Sequence, residues 1–335
     1  MARGGSCSVP AELGIVPLVA SSSKPASRFL VVVNPRAGAG RAQALLPALG
    51  AALRHEGADF ARVLTRGPGD ATHRTREALR QGAPGVAVVG GDGTLNEAVN
   101  GFFDEGGELV APGAWLGVLP CGTGGDFRKT LGLSKRPEAM VRHLMRATPR
   151  PIDVGWLRFV DHGGEPASRA FLNIASFGIG GLVDRLVNEG PKWIGGTPAF
   201  LVGTLRAMLQ YRNQGVNLSV DGGPPRATRI VNLAVANGRY FGGGMMIAPR
   251  AKIDDGVFDV VGLENLSASE QLRLTRHLYA GSILGQPGVT YVRGSKIHVE
   301  PAVPGEKVLL DVDGEAPGML PATFEIRPGA ILLRG

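Results

Sequence analysis

Short apolar runs alternate with amphipathic stretches through the first half of the chain. The run from Phe29 to Val33 is continuously apolar, as in a strand that is buried on both faces. The following stretch, "RAQALLPALGAALRHEG", repeats leucine at helical spacing and ends at a glycine. Three further strand-and-helix units begin with "FARVLT", "GVAVVG" and "AWLGVLP". This alternation predicts a doubly wound α/β domain, with a parallel sheet that binds ligands at the carboxyl ends of its strands.

The pattern changes after about residue 150, where strand-like runs such as "IDVGWLRF", "RIVNLAVAN" and "KVLLDV" are separated by glycine- or proline-bearing turns. It predicts a mainly antiparallel β-sandwich, interrupted by helices near 197–212 and 268–282. The last two strands, "ATFEIRP" and "AILLRG", are compatible with either domain. The predicted division is a flexible tail at 1–27, an α/β domain at 28–150 that is completed by about 320–335, and a β-sandwich domain at 151–319.

The formal net charge of the chain is +7, and its basic residues are unevenly distributed. Between Arg128 and Arg150 the sequence holds seven Lys or Arg residues against one acid, Glu138. Such a segment suits nucleotide phosphates or an anionic membrane surface, and it is equally compatible with a solvated helix face. Aromatic residues are few and are not interleaved with the basic ones, so nucleic acid is not expected as a partner.

The cysteines and the apolar runs indicate the compartment. Cys7 and Cys121 lie in unrelated contexts and form no disulfide or zinc pattern. No apolar run reaches the ~18 residues of a membrane-spanning helix. Pro10, Glu12 and Pro17 interrupt the N-terminal segment, which argues against a signal peptide. Together these features predict a cytoplasmic protein in a reducing compartment.

The stretch "VAVVGGDGTLNEAVNG" carries the first candidate site. A buried strand ends at Gly90, Gly91, Asp92 and Gly93 and passes directly into a helix. Glycine has no Cβ and tolerates positive φ, so backbone N–H groups can approach a polyphosphate closely, and the start of the helix adds its positive dipole end. Asp92 is placed to hold Mg²⁺ beside those phosphates. An ordinary strand–turn–helix connection is the alternative interpretation.

A second loop, "GVLPCGTGGDFRKTLG", repeats this arrangement at the end of the next strand. The residues around its aspartate are Gly122, Thr123, Gly124, Gly125 and Asp126. Two parallel strands that end in glycine-rich loops, each with one carboxylate, can converge on one nucleotide and its metal ion. Cys121, in the same loop, has no general base in view and is interpreted as a small packing residue.

Together these loops resemble the catalytic domain of the diacylglycerol kinase family, which includes bacterial lipid kinases and the sphingosine and ceramide kinases. The resemblance extends from about Phe29 to the C-terminus through "NPRAG", "FLNIASFGIGG", "NGRYFGGGMMIAPRAKIDDGVFDV" and "LDVDGE". "GGDGT" alone is ambiguous, because NAD kinases and phosphofructokinases carry similar loops, whereas the ordered set is specific. The resemblance implies ATP-dependent phosphorylation of a lipid hydroxyl, with the nucleotide between an NAD-kinase-like α/β domain and the β-sandwich.

The nucleotide contacts of the family map onto three parts of this sequence. They are Thr65 at the end of "ARVLT", Thr123, and the loop residues Gly90, Gly91, Asp92, Gly93, Thr94, Leu95 and Asn96. Asp92 and Asp126 match acids that organise the catalytic Mg²⁺ in relatives. Gly125 stands where relatives usually have Asn, so one side-chain hydrogen bond of this loop is missing or replaced by water.

The segment "DVDGE" matches the part of the family that bears the general base. The resemblance aligns Glu315 with that base and Asp313 with its acidic partner. A lipid alcohol is a poor nucleophile, and a carboxylate that takes its proton supplies roughly 10²–10⁴-fold in rate. On spacing alone, the same residues are typical of a hairpin turn with Asp313 and Gly314 at its centre.

The resemblance also implies a structural Mg²⁺ site in the segment "AKIDDGVFD". Its ligands would be the Asp255 carboxylate and the backbone carbonyls of Lys252 and Val257, which are hard oxygen donors that suit Mg²⁺. Without the resemblance, the Asp-Asp-Gly of this segment is only a turn signal.

Lys192 lies where relatives place a basic residue near the phosphates.

These features predict a lipid kinase that uses ATP and Mg²⁺, with diacylglycerol as its acceptor and ceramide, sphingoid bases or phosphatidylglycerol as alternatives. The enzyme would meet its lipid by peripheral association with the inner face of the membrane. A kinase of soluble acceptors such as NAD is disfavoured by "DGE" near the C-terminus and by the glycine loop at 242–244. A catalytically silent lipid-binding module is disfavoured because the four candidate catalytic acids are all retained. The sequence leaves open whether the protein forms a homodimer.

Overall fold

A computed structural model describes residues 28–122, 124–179 and 213–335 of the protein. The predicted tail, the predicted helix near 197–212, Thr123 and Lys192 lie outside the described residues. The first domain contains a parallel sheet with the strand order β4-β3-β1-β2. Its strands are β1 Phe29–Val33, β2 Phe60–Leu64, β3 Gly85–Gly90 and β4 Trp115–Pro120.

Helices cover both faces of this sheet. They are α1 Arg41–His55, α2 Asp70–Arg80, α3 Asp92–Asn100, α4 Asp126–Leu131 and α5 Pro137–Arg146. Val31 and Val33 of β1 pack into a core with α1 and α5. Leu30 and Val32, which point to the opposite face, pack into a core with α2 and α3. Burial on both faces explains why the strand reads as a continuous apolar run, and it confirms the predicted doubly wound arrangement.

The second domain is mainly antiparallel. Its strands are β5 Arg150–Asp161, β6 Pro166–Phe171, β7 Ile174–Gly178, β8 Gln214–Val220, β9 Arg226–Ala236, β10 Tyr240–Phe241, β11 Met245–Met246, β12 Phe258–Glu264, β13 Val289–Gly294, β14 Lys296–Pro301, β15 Leu310–Val312 and β16 Gly318–Arg334. Its described helix is α6 Ala268–Ala280, where the sequence predicted a helix behind Ser267. All these strands except the β10–β11 hairpin join the strands of the first domain in one 14-stranded sheet.

Two cores stabilise the second domain. In one, the Phe171 ring stacks on Phe258 with centroids 5.6 Å apart and meets the edge of Phe324 at 6.4 Å. In the other, Leu274 and Leu278 of α6 are buried against strands β7, β9 and β12. Strand layers enclosing an apolar interior confirm the β-sandwich that the sequence predicted.

Strand β16 connects the two domains. Leu332, Leu333 and Arg334 pair in parallel with β4 of the first domain. Earlier residues of the same strand pair with β5 and β14 of the second domain. The chain therefore returns to the first sheet at its C-terminal end, and the completion of the first domain by about 320–335 stays a prediction. The boundaries at 150 and 319 stay a prediction, because the sheet is continuous across them.

Candidate active site

The loops that follow the parallel strands meet at one edge of the first sheet. The Asn34 N–H after β1 donates to the Val89 carbonyl at 3.0 Å, and the Thr65 N–H after β2 donates to Val33 at 2.8 Å. The Cys121 N–H after β4 donates to the Gly90 carbonyl at 2.9 Å. All four strand ends are thus adjacent, and the two glycine-rich loops lie side by side, as the sequence predicted for a nucleotide site.

Glycine is required where the two loops touch. A Cβ on Gly122 would lie 2.7 Å from the Cα of Gly91, closer than real Cβ atoms approach. A Cβ on Gly90 would lie 2.7 Å from the Cβ of Thr94 at the start of α3. The glycines therefore allow the two loops and the start of α3 to pack closely on one another.

Asp92 caps a helix from a neighbouring loop. Its Oδ2 accepts the Asp126 N–H at 3.0 Å, and its Oδ1 accepts the Phe127 N–H at 3.2 Å. These are the first N–H groups of α4, whose own capping residue, Gly125, has no side chain. Gly125 has φ 60 and ψ 50, a left-handed conformation that glycine and asparagine both tolerate. This explains why Gly can replace the usual Asn of the family at this position.

The electrostatics around Asp92 suit a divalent cation. Burial raises the pKa of the Asp92 carboxyl, and the carboxylates of Asp126 and Asp313 raise this pKa further. Each Asp92 oxygen accepts one hydrogen bond from the described residues, so each keeps a lone pair for a ligand. A buried carboxylate among like charges, with hard oxygen donors, fits Mg²⁺.

The Asp126 side chain joins the two domains. Its Oδ1 pairs with Lys129 Nζ at 2.8 Å within α4. Its Oδ2 accepts the Gly243 N–H at 2.8 Å from the glycine loop between β10 and β11. The sequence predicted that Asp126 lies near Asp92, and the two residues are in contact. It did not indicate that Lys129 and Gly243 bind the Asp126 carboxylate, which is also predicted to organise Mg²⁺.

The side chains at the start of α3 mostly face protein. Thr94 is buried and its hydroxyl accepts a hydrogen bond from Asn34 Nδ2 at 2.9 Å. Leu95 packs in the core, and Asn96 is fully buried, with its Nδ2 donating to Asp313 Oδ2 at 2.8 Å. Any nucleotide contact by these three residues would therefore use their backbone groups. Their assignment as nucleotide contacts, with that of Thr65, stays a prediction.

Asp313 and Gly314 form the centre of a two-residue turn. The Val312 N–H donates to the Glu315 carbonyl at 2.7 Å, and the Glu315 N–H donates back to Val312 at 3.0 Å. Asp313 has φ 52 and Gly314 has φ 88, the positive values that such tight hairpin turns require. The hairpin interpretation of "DVDGE" is thus correct for the backbone, and it is compatible with a catalytic role for the side chains.

The Asp313 carboxylate fastens this turn to both domains. Its Oδ1 accepts N–H groups from Asn173 at 3.1 Å and Ile174 at 2.9 Å. Its Oδ2 accepts the Leu172 N–H at 3.0 Å besides the Asn96 amide. Burial raises the pKa of Asp313, although the hydrogen bonds oppose this shift. With its acceptor sites occupied by protein donors, Asp313 acts by positioning the turn.

Glu315 lies beside the glycine loop of the first domain. A Cβ on Gly93 would lie 3.4 Å from Glu315 Oε1, so the two segments are in van der Waals reach. Glu315 Oε2 accepts a hydrogen bond from Arg169 Nη2 at 2.8 Å. The side chain of Glu315 is 37% exposed and borders a cleft of about 570 Å³. The carboxylate can therefore receive a proton from a group that enters this cleft.

Two contributors to this site, Arg169 and Asn100, were not singled out by sequence reasoning. Arg169 on β6 contacts both Asn96 Oδ1 and Glu315, so it holds the turn against α3. Asn100 binds the Ala170 backbone through both amide atoms, at 3.0 and 2.8 Å. An arginine in a strand that ends in apolar residues was the available signal for Arg169, whereas Asn100 looks like any polar helix residue.

The segment predicted to bind structural Mg²⁺ forms a charged cluster on the second domain. Asp255 contacts the Arg293 guanidinium, whose Nε lies 3.7 Å from Asp259 Oδ2. Asp259 is fully buried, and among the described residues its Oδ2 has no hydrogen-bond partner. The Arg293 guanidinium thus supplies positive charge to both carboxylates, and the set of Lys252, Asp255 and Val257 stays a prediction.

Cys121 is buried in the core between the sheet and α1. Burial raises the pKa of its thiol. Both properties agree with its interpretation as a packing residue rather than a nucleophile.

Within the described residues, no group of three or more His, Cys, Asp or Glu side chains could hold a metal ion together.

Part of the basic segment is paired with acids or bonded to a backbone carbonyl. Arg146 pairs with Glu56 at 3.4 Å, and Arg150 pairs with Asp254 at 3.0 Å. Arg128 donates to the Leu133 carbonyl at 2.8 Å. In the part of the chain that the structure describes, no helix is long and apolar enough to cross a membrane.

Two family models match this chain. The diacylglycerol kinase catalytic domain matches residues 28–157, and the YegS C-terminal NAD kinase beta sandwich-like domain matches residues 173–334. A Mycobacterium tuberculosis protein named diacylglycerol kinase is 29% identical over 305 residues, which cover 91% of this chain and 94% of the relative. A Pseudomonas aeruginosa protein named "Probable lipid kinase YegS-like" is 31% identical over 282 residues, which cover 84% and 86% of the two chains.

A solved structure shares the fold. It is a Bacillus anthracis protein proposed to be a diacylglycerol kinase, with a TM-score of 0.72, 25% identity, and coverage of 92% of this chain and 97% of that chain. The first family match contains the two glycine-rich loops, and the second contains the turn at Asp313 and Gly314. The chain therefore belongs to the diacylglycerol kinase and YegS-like family of lipid kinases.

Proposed function

We propose that this enzyme transfers the γ-phosphoryl group of ATP to the hydroxyl of diacylglycerol, with Mg²⁺. The observation that carries the proposal is the position of Glu315, whose carboxylate lies against Gly93 in the phosphate-type loop of the first domain. A base from the second domain and a loop suited to phosphates from the first domain thus lie next to each other, and the base also borders a cleft. ATP would bind at the loops after β1 to β4, and the lipid would approach from the second domain.

The proton transfer follows from the geometry of Glu315. As the lipid oxygen attacks the γ-phosphorus, its proton passes to a carboxylate oxygen of Glu315 and the P–O bond to ADP breaks. Arg169 and the tight turn hold the carboxylate in place, so little reorganisation is needed at the moment of transfer. Arg169 is a positioning residue, because it acts through Glu315.

Asp92 is the residue that would hold the catalytic Mg²⁺. When bound, Mg²⁺ neutralises charge on the β- and γ-phosphates. Asp92 also orders the second glycine-rich loop by capping α4, so one carboxylate aligns the loop and offers ligand oxygens. Asp126 supports this arrangement from the other end by binding the glycine loop of the second domain.

Two buried polar side chains favour a lipid acceptor that carries hydrogen-bonding groups. Ser176 on β7 lies directly across from Asp311 on β15, the strand that leads into the catalytic turn. Asn232 on β9 pairs with Gly178 of β7, next along the same sheet. The Ser176 hydroxyl and both amide atoms of Asn232 have no hydrogen-bond partner among the described residues. Ester and hydroxyl groups of diacylglycerol would supply partners for such donors and acceptors.

The test is a phosphorylation assay with γ-labelled ATP, Mg²⁺ and a panel of lipids, with products identified by mass spectrometry. The panel holds diacylglycerol, ceramide, a sphingoid base and phosphatidylglycerol, and NAD is assayed in the aqueous phase. We expect label in phosphatidic acid. Glu315→Gln should lower kcat by roughly 10²–10⁴-fold, whereas Glu138→Gln, at the exposed start of α5, should leave it unchanged.

Other products would correct the proposal in defined ways. Label in ceramide phosphate or a sphingoid phosphate would move the acceptor to sphingolipids, and label in an aqueous nucleotide would overturn lipid phosphorylation. Near wild-type turnover by Glu315→Gln would remove its role as base. We further propose that the reaction takes place at the inner face of the membrane, which the enzyme reaches from the cytoplasm as a peripheral protein.

A further inference from the structure

The outward face of helix α6 combines large apolar side chains with arginines. Leu272 is 69% exposed and Tyr279 is 58% exposed. They are seven residues apart, so they lie in one line along the helix. Arg273 and Arg276 are also exposed and lie beside this line. We call these four residues the α6 face.

The α6 face is held rigidly away from the protein interior. The Ser267 hydroxyl accepts the Glu270 N–H and the Glu270 carboxylate accepts the Ser267 N–H, so the helix begins at a complete capping box. On the opposite side, Leu274 and Leu278 are buried in the core beneath the helix. The buried stripe fixes the rotation of α6, and Leu272 and Tyr279 therefore point to the surroundings.

The α6 face carries two positive charges. Hydrogen bonds in the capping box lower the pKa of Glu270, the single acid of the helix, and Arg273 lies near enough to lower it further. Neither Arg273 nor Arg276 takes part in an ion pair among the residues that the structure describes, and the one acid of α6, Glu270, is bonded to the cap. In the basic segment 128–150, by contrast, Lys129 and Arg146 already pair with acids. Exposed arginines beside apolar side chains match an interface that is both anionic and apolar.

The α6 face is also connected to the catalytic residues. Beneath α6, Ile174 belongs to the same core as Leu274, and its N–H binds the Asp313 carboxylate. At the end of α6, a Cβ on Gly281 would lie 2.6 Å from Met246 Sδ of the β10–β11 hairpin. The glycine loop of that hairpin binds Asp126. Helix α6 therefore packs on elements that contact Asp313 and Asp126.

We propose that the α6 face is the surface by which this enzyme docks on an anionic bilayer. Leu272 and Tyr279 enter the boundary between headgroups and acyl chains, and Arg273 and Arg276 bind the anionic headgroups. The inference depends on the proposed function in one respect, because a lipid substrate is the reason why the enzyme would bind a bilayer.

The test measures binding without catalysis. Co-sedimentation uses the full chain, no ATP, and vesicles of phosphatidylcholine with phosphatidylglycerol but without diacylglycerol. The double variant Leu272→Asn, Tyr279→Asn should bind roughly 10–100-fold more weakly, because each side chain loses its apolar transfer into the interface. The control Val303→Asn removes an equally exposed valine, 59% exposed and outside α6, and should bind like the wild type.

A second variant tests the charges. Arg273→Gln, Arg276→Gln should bind anionic vesicles roughly 10-fold or more weakly, and it should no longer distinguish them from pure phosphatidylcholine. Wild-type binding should weaken with added salt, and the binding of this variant should depend on salt much less. Wild-type affinity in both double variants would overturn the inference. So would a dimer in analytical ultracentrifugation that the Leu272, Tyr279 variant abolishes while vesicle binding persists.

Failure of the inference and failure of the proposed function give different results. With a short-chain diacylglycerol dispersed as monomers, the α6 variants should keep wild-type kcat, since no docking is needed. If the wild type makes no product from this substrate but docks through α6, the proposed acceptor is wrong and the inference stands. If the wild type makes product and the variants dock normally, the inference is wrong and the proposed function stands.

Discussion

At the scale of single residues, Asp92 caps α4 through two backbone N–H groups. The proposed function gives the same oxygens a second role, because their remaining lone pairs would bind Mg²⁺. Burial, with Asp126 and Asp313 nearby, raises the pKa of the Asp92 carboxyl. The charged form of Asp92 is therefore costly until a cation arrives, and this property has a measurable consequence.

The stabilisation of the enzyme by Mg²⁺ should depend on pH. A raised folded-state pKa means that metal-free stability falls as the pH rises from about 4 through that pKa, because the folded state gives up a proton it holds more tightly than the unfolded chain. Mg²⁺ needs the deprotonated carboxylate. The rise in Tm caused by Mg²⁺ with a non-hydrolysable ATP analogue should thus be larger at about pH 7.5 than at about pH 5.

The matched control is Asp92→Asn, which keeps the size of the side chain and one acceptor oxygen. Its Mg²⁺-dependent rise in Tm should be small at both pH values. Equal rises at both pH values in the wild type would show that Asp92 does not bind the ion, and the cap would then be its only task.

At the scale of elements, the tight turn between β15 and β16 determines where Glu315, the proposed base, is placed. Positive φ at Asp313 and Gly314 directs the Glu315 side chain back toward α3. The Asp313 carboxylate then fixes the turn with four hydrogen bonds, from Asn96 and from the backbone of 172–174. Asp313 therefore has a structural role in this turn, and the proposed function gives Glu315 a chemical one.

Substitutions of these two acids should separate the tasks. Asp313→Asn places an NH₂ group against backbone donors, so it should lower the free energy of unfolding by roughly 2–4 kcal/mol and also abolish most activity. Glu315→Gln should change the free energy of unfolding by less than about 1 kcal/mol while it lowers kcat. Urea unfolding followed by circular dichroism gives the first quantity, and the kinase assay gives the second. Equal destabilisation by both variants would contradict this division.

At the scale of the whole molecule, β16 makes the two domains depend on each other. Its last residues, Leu332 to Arg334, pair in parallel with one edge of β4. Ile331 and Leu333 are buried in the core that also holds α2 and α3. The part of the chain that matches the diacylglycerol kinase catalytic domain, residues 28–157, contains none of these groups.

A fragment of residues 28–157 should therefore not fold stably by itself. Without β16, the β4 strand has an unpaired edge, and the core loses buried apolar side chains. We expect weak circular dichroism or aggregation for the fragment, and a single cooperative thermal transition for the full chain. A fragment that is monomeric and unfolds cooperatively would show that the first domain is independent of β16.

The sequence by itself determined the parallel strands, the glycine-rich loops and the identity of the acids. Continuous apolar runs report burial on both faces, and glycine before aspartate reports a backbone conformation, so both signals are local. The segment "DVDGE" shows the limit of local signals. Its sequence predicts a hairpin turn, which the structure contains, but the turn pattern alone does not indicate that Glu315 is a candidate base.

Only the tertiary structure decided which partners these acids meet. Asp313 binds Asn96 across 217 residues of sequence, and Glu315 binds Arg169 across 146. Such contacts depend on how two domains pack along a shared strand, and no local pattern encodes them. The exposure of Leu272 and Tyr279 was decided at this level too, because an amphipathic sequence does not say which apolar residues lie outside the buried stripe.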